Sequence, residues 1–210
     1  DKCVIAGICM ANLKKQLIIS VGREFGSAGH EIAELLSKHY EIPLLDHNLL
    51  DEIAAEKGLD ASKLKHLDEK HKNLIFSRKV KGFSSSPEEN LYLMQFDYLQ
   101  KRAKKGDSFV VVGRCSEHVL KEYDCMISMF ILGDKEKKIE RICRLYQMTE
   151  ANAERFRLEK DAKRKRYHNS YCDGKWGHSR NYDISINSSK LGVEDTTKLL
   201  IDFIDKRRAK

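Results

Sequence analysis

Gly26, Ser27, Ala28 and Gly29 are four consecutive small residues between the apolar run Leu17–Val21 and a helical pattern that starts near His30. Small residues let backbone N–H groups approach an anion closely, and a helix N-terminus adds roughly half a positive charge. Strand, glycine-rich turn and helix is the layout of a phosphate-binding loop, with one departure. His30 and Glu31 stand where the standard loop has Lys and Ser/Thr. His30 replaces that cation only in part, because a free imidazole is mostly neutral at pH 7. Arg23 can supply the missing charge from the loop itself. Glu31 cannot copy a hydroxyl ligand, but its carboxylate can hold Mg²⁺ directly or through water. A tight strand–helix turn without a ligand would use the same small residues.

Three more groups suit phosphate chemistry. Gly113-Arg114-Cys115 follows the apolar run Phe109–Val112, at the strand edge where open α/β sheets bind ligands. An arginine there grips phosphate with a two-pronged hydrogen bond. The run Lys160-Asp161-Ala162-Lys163-Arg164-Lys165-Arg166-Tyr167 is the densest basic stretch. On a helix, Asp161, Arg164 and Tyr167 or His168 share a face. Arginines closing over a nucleotide neutralise charge that develops in phosphoryl transfer, although a charged helix is often simply solvated. Asp46 ends a weaker apolar segment, Ile42–Leu45. Its carboxylate suits orienting a ribose or an acceptor, holding Mg²⁺, or capping a helix that begins at His47. Trp176, near Tyr171 and Tyr182, suits stacking on a base or anchoring the root of the basic helix.

The elements that must position these residues alternate. Leu17–Val21, Phe109–Val112, Met126–Leu132 and Asp183–Asn187 read as buried parallel strands, with Ile42–Leu45 a fifth, because near-continuous Val/Ile content is what a sheet covered on both faces requires. Helical spacing follows the glycine loop (Ile32, Leu35, Leu36, Tyr40), follows Asp134 as an N-cap (Ile139, Ile142, Cys143, Tyr146), and closes the chain (Leu199, Leu200, Phe203, Ile204). Ser86-Pro87-Glu88-Glu89 reads as a helix start. The pattern predicts an α/β fold with a mostly parallel sheet. Residues 58–87, polar and lysine-rich, read as a flap insertion. Residues 149–180 read as a helical lid, leaving about 17–57, 88–148 and 181–207 as the core of one domain.

With 210 residues and 41% hydrophobic content the chain can bury a sizeable core. A net charge of +7 favours anionic partners. No recognised nucleic-acid motif accompanies that charge, so nucleic acid is not the expected partner. Six scattered cysteines form no C-x-x-C pair and no zinc spacing with histidine, and read as reduced thiols in a cytoplasmic protein. Val4–Ala11 is too short to span a bilayer, so no membrane partner is expected. Met10 is read as the start, with residues 1–9 outside the fold.

Several of these segments in order, I-I-S-V-G-R-E-F-G-S-A-G-H-E-I, V-V-V-G-R-C-S-E-H-V-L, the D-x-x-R-x-x-Y of Asp161, Arg164 and Tyr167, K-W-G, and N-Y-D-I-S-I-N-S-S-K-L-G, resemble the cytidylate-kinase-like family, a branch of the P-loop nucleoside monophosphate kinases with an altered loop. The resemblance runs from about Leu17 to the C-terminus. It implies a three-layer P-loop kinase fold with a five-stranded parallel sheet, an acceptor-binding flap and a helical lid. It implies phosphoryl transfer from ATP, with Mg²⁺, to a nucleoside monophosphate such as CMP or dCMP. Gly26, Ser27, Ala28, Gly29, His30 and Glu31 would then hold the donor phosphates, Arg114 and Asp46 the acceptor, and Lys160, Lys163, Arg164, Arg166 and Tyr167 would form the lid. Arg23, Arg114, Asp161 and Arg164 are the expected catalytic group, with Glu31 and Asp46 as candidate metal ligands. The chain departs from the family pattern at His30, in place of the loop lysine, and after Asp46, where the family's Tyr-Arg pair is absent. A nucleotide-binding module without turnover, or a kinase for another small acceptor, is the alternative. The sequence leaves the oligomeric state open.

Overall fold

The computed structural model describes residues 16–46, 48–69, 79–80, 83–84 and 87–209. The expected start at Met10, His47, Ser86 and much of the 58–87 flap therefore lie outside the described residues. Five parallel strands form one sheet: β1 (Ile18–Arg23), β2 (Leu44–Leu45), β5 (Phe109–Val112), β6 (Met126–Leu132) and β7 (Ile184–Asn187), in the order β2-β5-β1-β6-β7. A separate antiparallel pair joins β3 (Lys79–Val80) to β4 (Phe83–Ser84). The helices are α1 (Gly29–Tyr40), α2 (Leu49–Lys57), α3 (Ala61–Glu69), α4 (Pro87–Lys104), α5 (Ser116–Val119), α6 (Lys135–Tyr146), α7 (Glu150–Tyr171) and α8 (Gly192–Arg208).

The period-2 alternation of a strand explains the layering. Along β1, Ile19 and Val21 join Val110, Val112, Met129 and Ile131 in a core closed by Ile32 and Leu36 of α1 and Leu200 and Ile204 of α8. Ile18, Phe109 and Val111 project into the opposite core, against Leu49 and Ile53 of α2 and Leu99 of α4. The result is the expected three-layer α/β/α architecture. β1 lies at its centre, with Val21 opposite Val112 on one side and Met129 on the other. A buried hydroxyl pair, Ser20 to Ser116 at 2.7 Å, fastens the middle of β1 to α5.

Two helix starts show how local side chains are used. The helix after Asp46 starts at Leu49, with Asn48 as its N-cap. The Asn48 side chain accepts the Asp46 N–H at 2.8 Å, and Asn48, not Asp46, is the residue at the N-cap. Asp134 is the N-cap of α6 but makes no side-chain cap bond. Its carboxylate accepts from Asn187 and Lys190 instead, both at 2.7 Å, which ties the start of α6 to the end of β7. Helix α7 lacks an apolar stripe, and of its residues only Ala153 and His168 are buried. It is held to the rest of the molecule by specific polar contacts, Tyr167 and Tyr171 adding apolar ones.

Candidate functional site

Arg23 is the last residue of β1, and the chain turns through 24–28 into α1. The turn is braced from outside. Lys138 of α6, only 5% exposed, donates to Glu24 Oε2 at 2.6 Å, and the same oxygen accepts the Gly133 N–H at 3.1 Å. Ser27 donates its hydroxyl to the Glu24 carbonyl at 2.9 Å. The Ser27 carbonyl accepts from Ser188 Oγ at 2.7 Å. Ala28 adopts a left-handed φ of 62° as the N-cap of α1, so the first-turn amides of that helix, which have no intrahelical acceptor, open at the strand edge. Gly26, Ser27 and Ala28 line a cavity of about 210 Å³ with Arg141 and Arg144 of α6. A small-residue loop at a helix start beside two guanidiniums suits a polyphosphate.

A second cavity, of about 190 Å³, is lined by Arg23, Arg114, Lys163, Arg164 and Tyr167. Four cations reach it from three separate places: the end of β1, the turn after β5, and α7. The turn after β5 is unusual. Gly113, Arg114 and Cys115 all have positive φ, 75°, 60° and 54°. Glycine tolerates this, whereas arginine and cysteine pay a backbone cost. A Cβ on Gly113 would collide with Arg23 Nη1; the missing side chain is what lets the Arg23 guanidinium lie over the β5 turn. Burial first, then the Arg164 and Arg114 charges, pull the Arg23 pKa down to about 9, against the opposing pull of Asp46 and Asp161. It is still a cation at neutral pH. Burial likewise lowers the Arg164 pKa. Cations crowded together and partly stripped of water are a site that gains free energy when an anion enters.

Helix α7 is docked on the turn that follows β1. Asp161 Oδ1 accepts the Phe25 N–H at 2.7 Å, and Arg164 Nη1 donates to the Arg23 carbonyl at 3.3 Å. Arg164 also stacks over the Phe25 ring at 5.3 Å. Burial raises the Asp161 pKa, opposed by the Phe25 hydrogen bond and by Arg164. Of the expected lid residues, Lys163, Arg164 and Tyr167 line the cavity. Lys160 and Arg166 are exposed on α7 outside it, and Lys160 lies over Phe156 at 4.9 Å.

His30 Nδ1 lies 3.0 Å from Asp46 Oδ2, and His30 Nε2 lies 3.3 Å from Glu34 Oε1. The residue in the lysine position is therefore held between two carboxylates, and one of them is the second-strand aspartate. Glu31, a candidate metal ligand by its place in the loop, forms an ion pair with Arg141. Asp46 also stands close enough to Arg23 and Arg164 to act on both charges. Trp176 packs edge-on against Phe130 at 5.4 Å and lines the same cavity as Arg114.

Residue types alone did not reveal the Glu24–Lys138 brace, nor Glu117 and His168, which complete the cavity wall. His168 Nε2 lies 2.6 Å from Glu117 Oε1, and both residues are buried. Burial lowers the His168 pKa, but hydrogen bonds with Cys172 and Glu117 outweigh it and lift it to about 10. The helical face of Asp161, Arg164 and Tyr167 or His168 hinted at His168. Nothing in the sequence hinted at its partner 51 positions away.

With this geometry in view, residues 18–190 match the model of the Cytidylate kinase-like family. The chain is similar to an uncharacterized protein from Eubacterium ventriosum ATCC 27560, with 38% identity, a TM-score of 0.73, and coverage of 90% of this chain and 99% of that one. Shikimate kinases share the fold at low identity. That of Bacteroides thetaiotaomicron has a TM-score of 0.54 at 10% identity, covering 90% of this chain and 98% of its own. That of Acinetobacter baumannii, in complex with shikimate, has 0.53 at 14%, covering 96% and 99%. No curated protein matches the chain.

Proposed function

Because the chain belongs to the cytidylate kinase-like family, we propose that it transfers a phosphoryl group from ATP to a small anionic acceptor, with CMP and dCMP the first acceptors to test. The observation that carries this reading is the convergence of Arg23, Arg114 and Arg164 on one cavity beside the glycine loop. The loop amides and the cavity with Arg141 and Arg144 suit the donor phosphates. The cavity with Arg114 suits the acceptor phosphate. Gly26, Ser27 and Ala28 line the first cavity and Arg23, three residues before them, lines the second.

In that reaction the bond from the γ-phosphorus to its bridging oxygen breaks, and ADP keeps the electron pair. A bond from the acceptor oxygen to phosphorus forms. An acceptor phosphate oxygen is already anionic, so no strong base is required. Catalysis then rests on positioning and on neutralising charge over the transferred group. Arg23 and Arg164 meet that charge from two sides, and Asp161 fixes α7 on the loop so that Arg164 is in place. Asp46 would hold Mg²⁺, which supplies charge neutralisation across the donor phosphates when bound.

One observation favours the second reading, a nucleotide-binding module without turnover: His30 is engaged by Asp46 and Glu34 in place of a free lysine. Purified protein mixed with MgATP and CMP, dCMP, UMP, AMP or GMP, with ADP and diphosphate product measured directly, separates the two. Turnover on any acceptor supports the kinase. Nucleotide-induced thermal stabilisation with no turnover on the panel or on other phosphorylated and carboxylate acceptors supports the module.

A further inference from the structure

Four metal-ligating side chains gather where the end of α7 meets the turn after β5. The oxygen of Glu117, a ring nitrogen of His168 and the sulfur of Cys172 all lie within 4.8 Å of one another. Cys172 shares a side-chain hydrogen bond with Cys115. Glu117 and His168 are 7% and 5% exposed, and Cys115 is 3% exposed. His168 and Cys172 are one helical turn apart at the C-terminus of α7, where the Cys172 N–H donates to the His168 carbonyl at 2.9 Å. A carboxylate, an imidazole and two thiols in a nearly dry space are costly to bury unless fully paired. The His168–Glu117 contact at 2.6 Å, the His168–Cys172 hydrogen bond and the Cys115–Cys172 hydrogen bond link them in one chain. One cation satisfies all four at once.

We propose that Glu117, His168, Cys172 and Cys115 form a structural zinc site that pins the root of α7 to the turn carrying Arg114. Zinc is the metal this donor set selects. Thiolate and imidazole are too soft for Mg²⁺ or Ca²⁺, and four-coordinate zinc accepts sulfur, nitrogen and oxygen together without a geometric preference of its own. Ligands about 2.0–2.3 Å from the ion stand roughly 3–4 Å apart, so Glu117, His168 and Cys172 need only small side-chain movements from their 4.8 Å spread, and Cys115, outside that spread, joins through its hydrogen bond with Cys172. Binding displaces the thiol protons and the proton shared between His168 and Glu117. The negative charge left on the ligands offsets the ion beside Arg114. The inference does not rest on the kinase reading, because the pin holds two elements of the fold whatever the cavity binds.

The test uses the full chain, tag-free and metal-depleted under reducing conditions, titrated with ZnCl₂ against a chromophoric chelator, with a parallel CoCl₂ titration read by absorption. The expected result is one tight equivalent of zinc, a thiolate-to-cobalt charge-transfer band, and a Tm raised by zinc. Cys172→Ser and His168→Gln should lose affinity by more than the roughly 10–100-fold that an outer-shell partner costs. Cys143→Ser, at a half-buried cysteine of α6 outside the cluster, should bind like the parent. The thermal melt of each metal-free variant shows whether it is folded, and the cobalt band reports thiolate ligation independently of stability. Zinc affinity equal in the parent and in folded Cys172→Ser, or a cobalt spectrum without the thiolate band, would overturn the site. So would a thiol count showing that Cys115 and Cys172 pair as a disulfide while zinc leaves the Tm unchanged.

Discussion

Arg114 holds a left-handed backbone at φ 60°, between Gly113 and Cys115, which share that region. A non-glycine residue there costs about 1–2 kcal/mol, and the turn spends this to aim a guanidinium into the cavity beside Arg23 and Arg164. The expected effect of Arg114→Gly follows. Backbone cost and like-charge crowding both fall, so Tm should hold or rise, while kcat/KM falls by about 10²–10³, the range for losing one preorganised charge-stabilising donor. Steady-state kinetics beside a thermal melt checks this. A drop of many degrees in Tm would make Arg114 a structural residue. The sequence showed Arg114 as a candidate because a Gly-Arg step followed a buried strand. It could not show that a side chain at Gly113 would meet the Arg23 guanidinium, a contact made across two strands.

At the scale of elements, α7 is a helix held by polar contacts at both ends. Near its start, Glu154 accepts from Arg157 on the same helix, and Lys135 of α6 lies 3.1 Å from its carboxylate. Those hydrogen bonds, Arg157 first and Lys135 second, lower the Glu154 pKa to about 2. A carboxyl whose folded pKa is depressed stabilises the fold above its unfolded pKa, near 4.3, and loses that contribution as pH falls through the folded value. Glu154→Gln should therefore flatten the acid limb of Tm against pH between about 4.3 and 2 and leave its shape near neutrality unchanged. Parallel melts across that range test it. An unchanged acid limb would mean that the pair is screened by solvent, as exposed ion pairs often are. The sequence identified α7 as one long charged segment, but a segment without an apolar stripe does not say which face it presents. Its docking was decided by Asp161 meeting the Phe25 N–H.

Across the whole molecule, the net charge of +7 is less informative than where the charge is concentrated. Crowded guanidiniums around one cavity predict that inorganic phosphate or sulfate at millimolar concentration raises Tm by several degrees. The effect should shrink in Arg23→Met and Arg114→Gly. NaCl at matched ionic strength separates site binding from general screening. If the variants gain as much as the parent, the anion is binding elsewhere. Among the described residues no helix is long and apolar enough to cross a membrane.

The strand runs, the glycine loop and the last helix were legible in the sequence because each depends on local pattern. Val/Ile continuity marks a sheet covered on both faces, and helical spacing marks a helix with one apolar stripe. The same runs carried the family resemblance, hence the five-stranded parallel sheet and the reaction class to be tested. The tertiary structure decided what each charge meets. His30 lies between Asp46 and Glu34, Glu31 pairs with Arg141, Lys138 braces Glu24, and Glu117 finds His168 and Cys172. These partners lie on different elements, and their pairing depends on how whole helices pack against the sheet. A spacing rule reads one helix or one strand at a time, so it cannot register a contact that exists only after the sheet has closed.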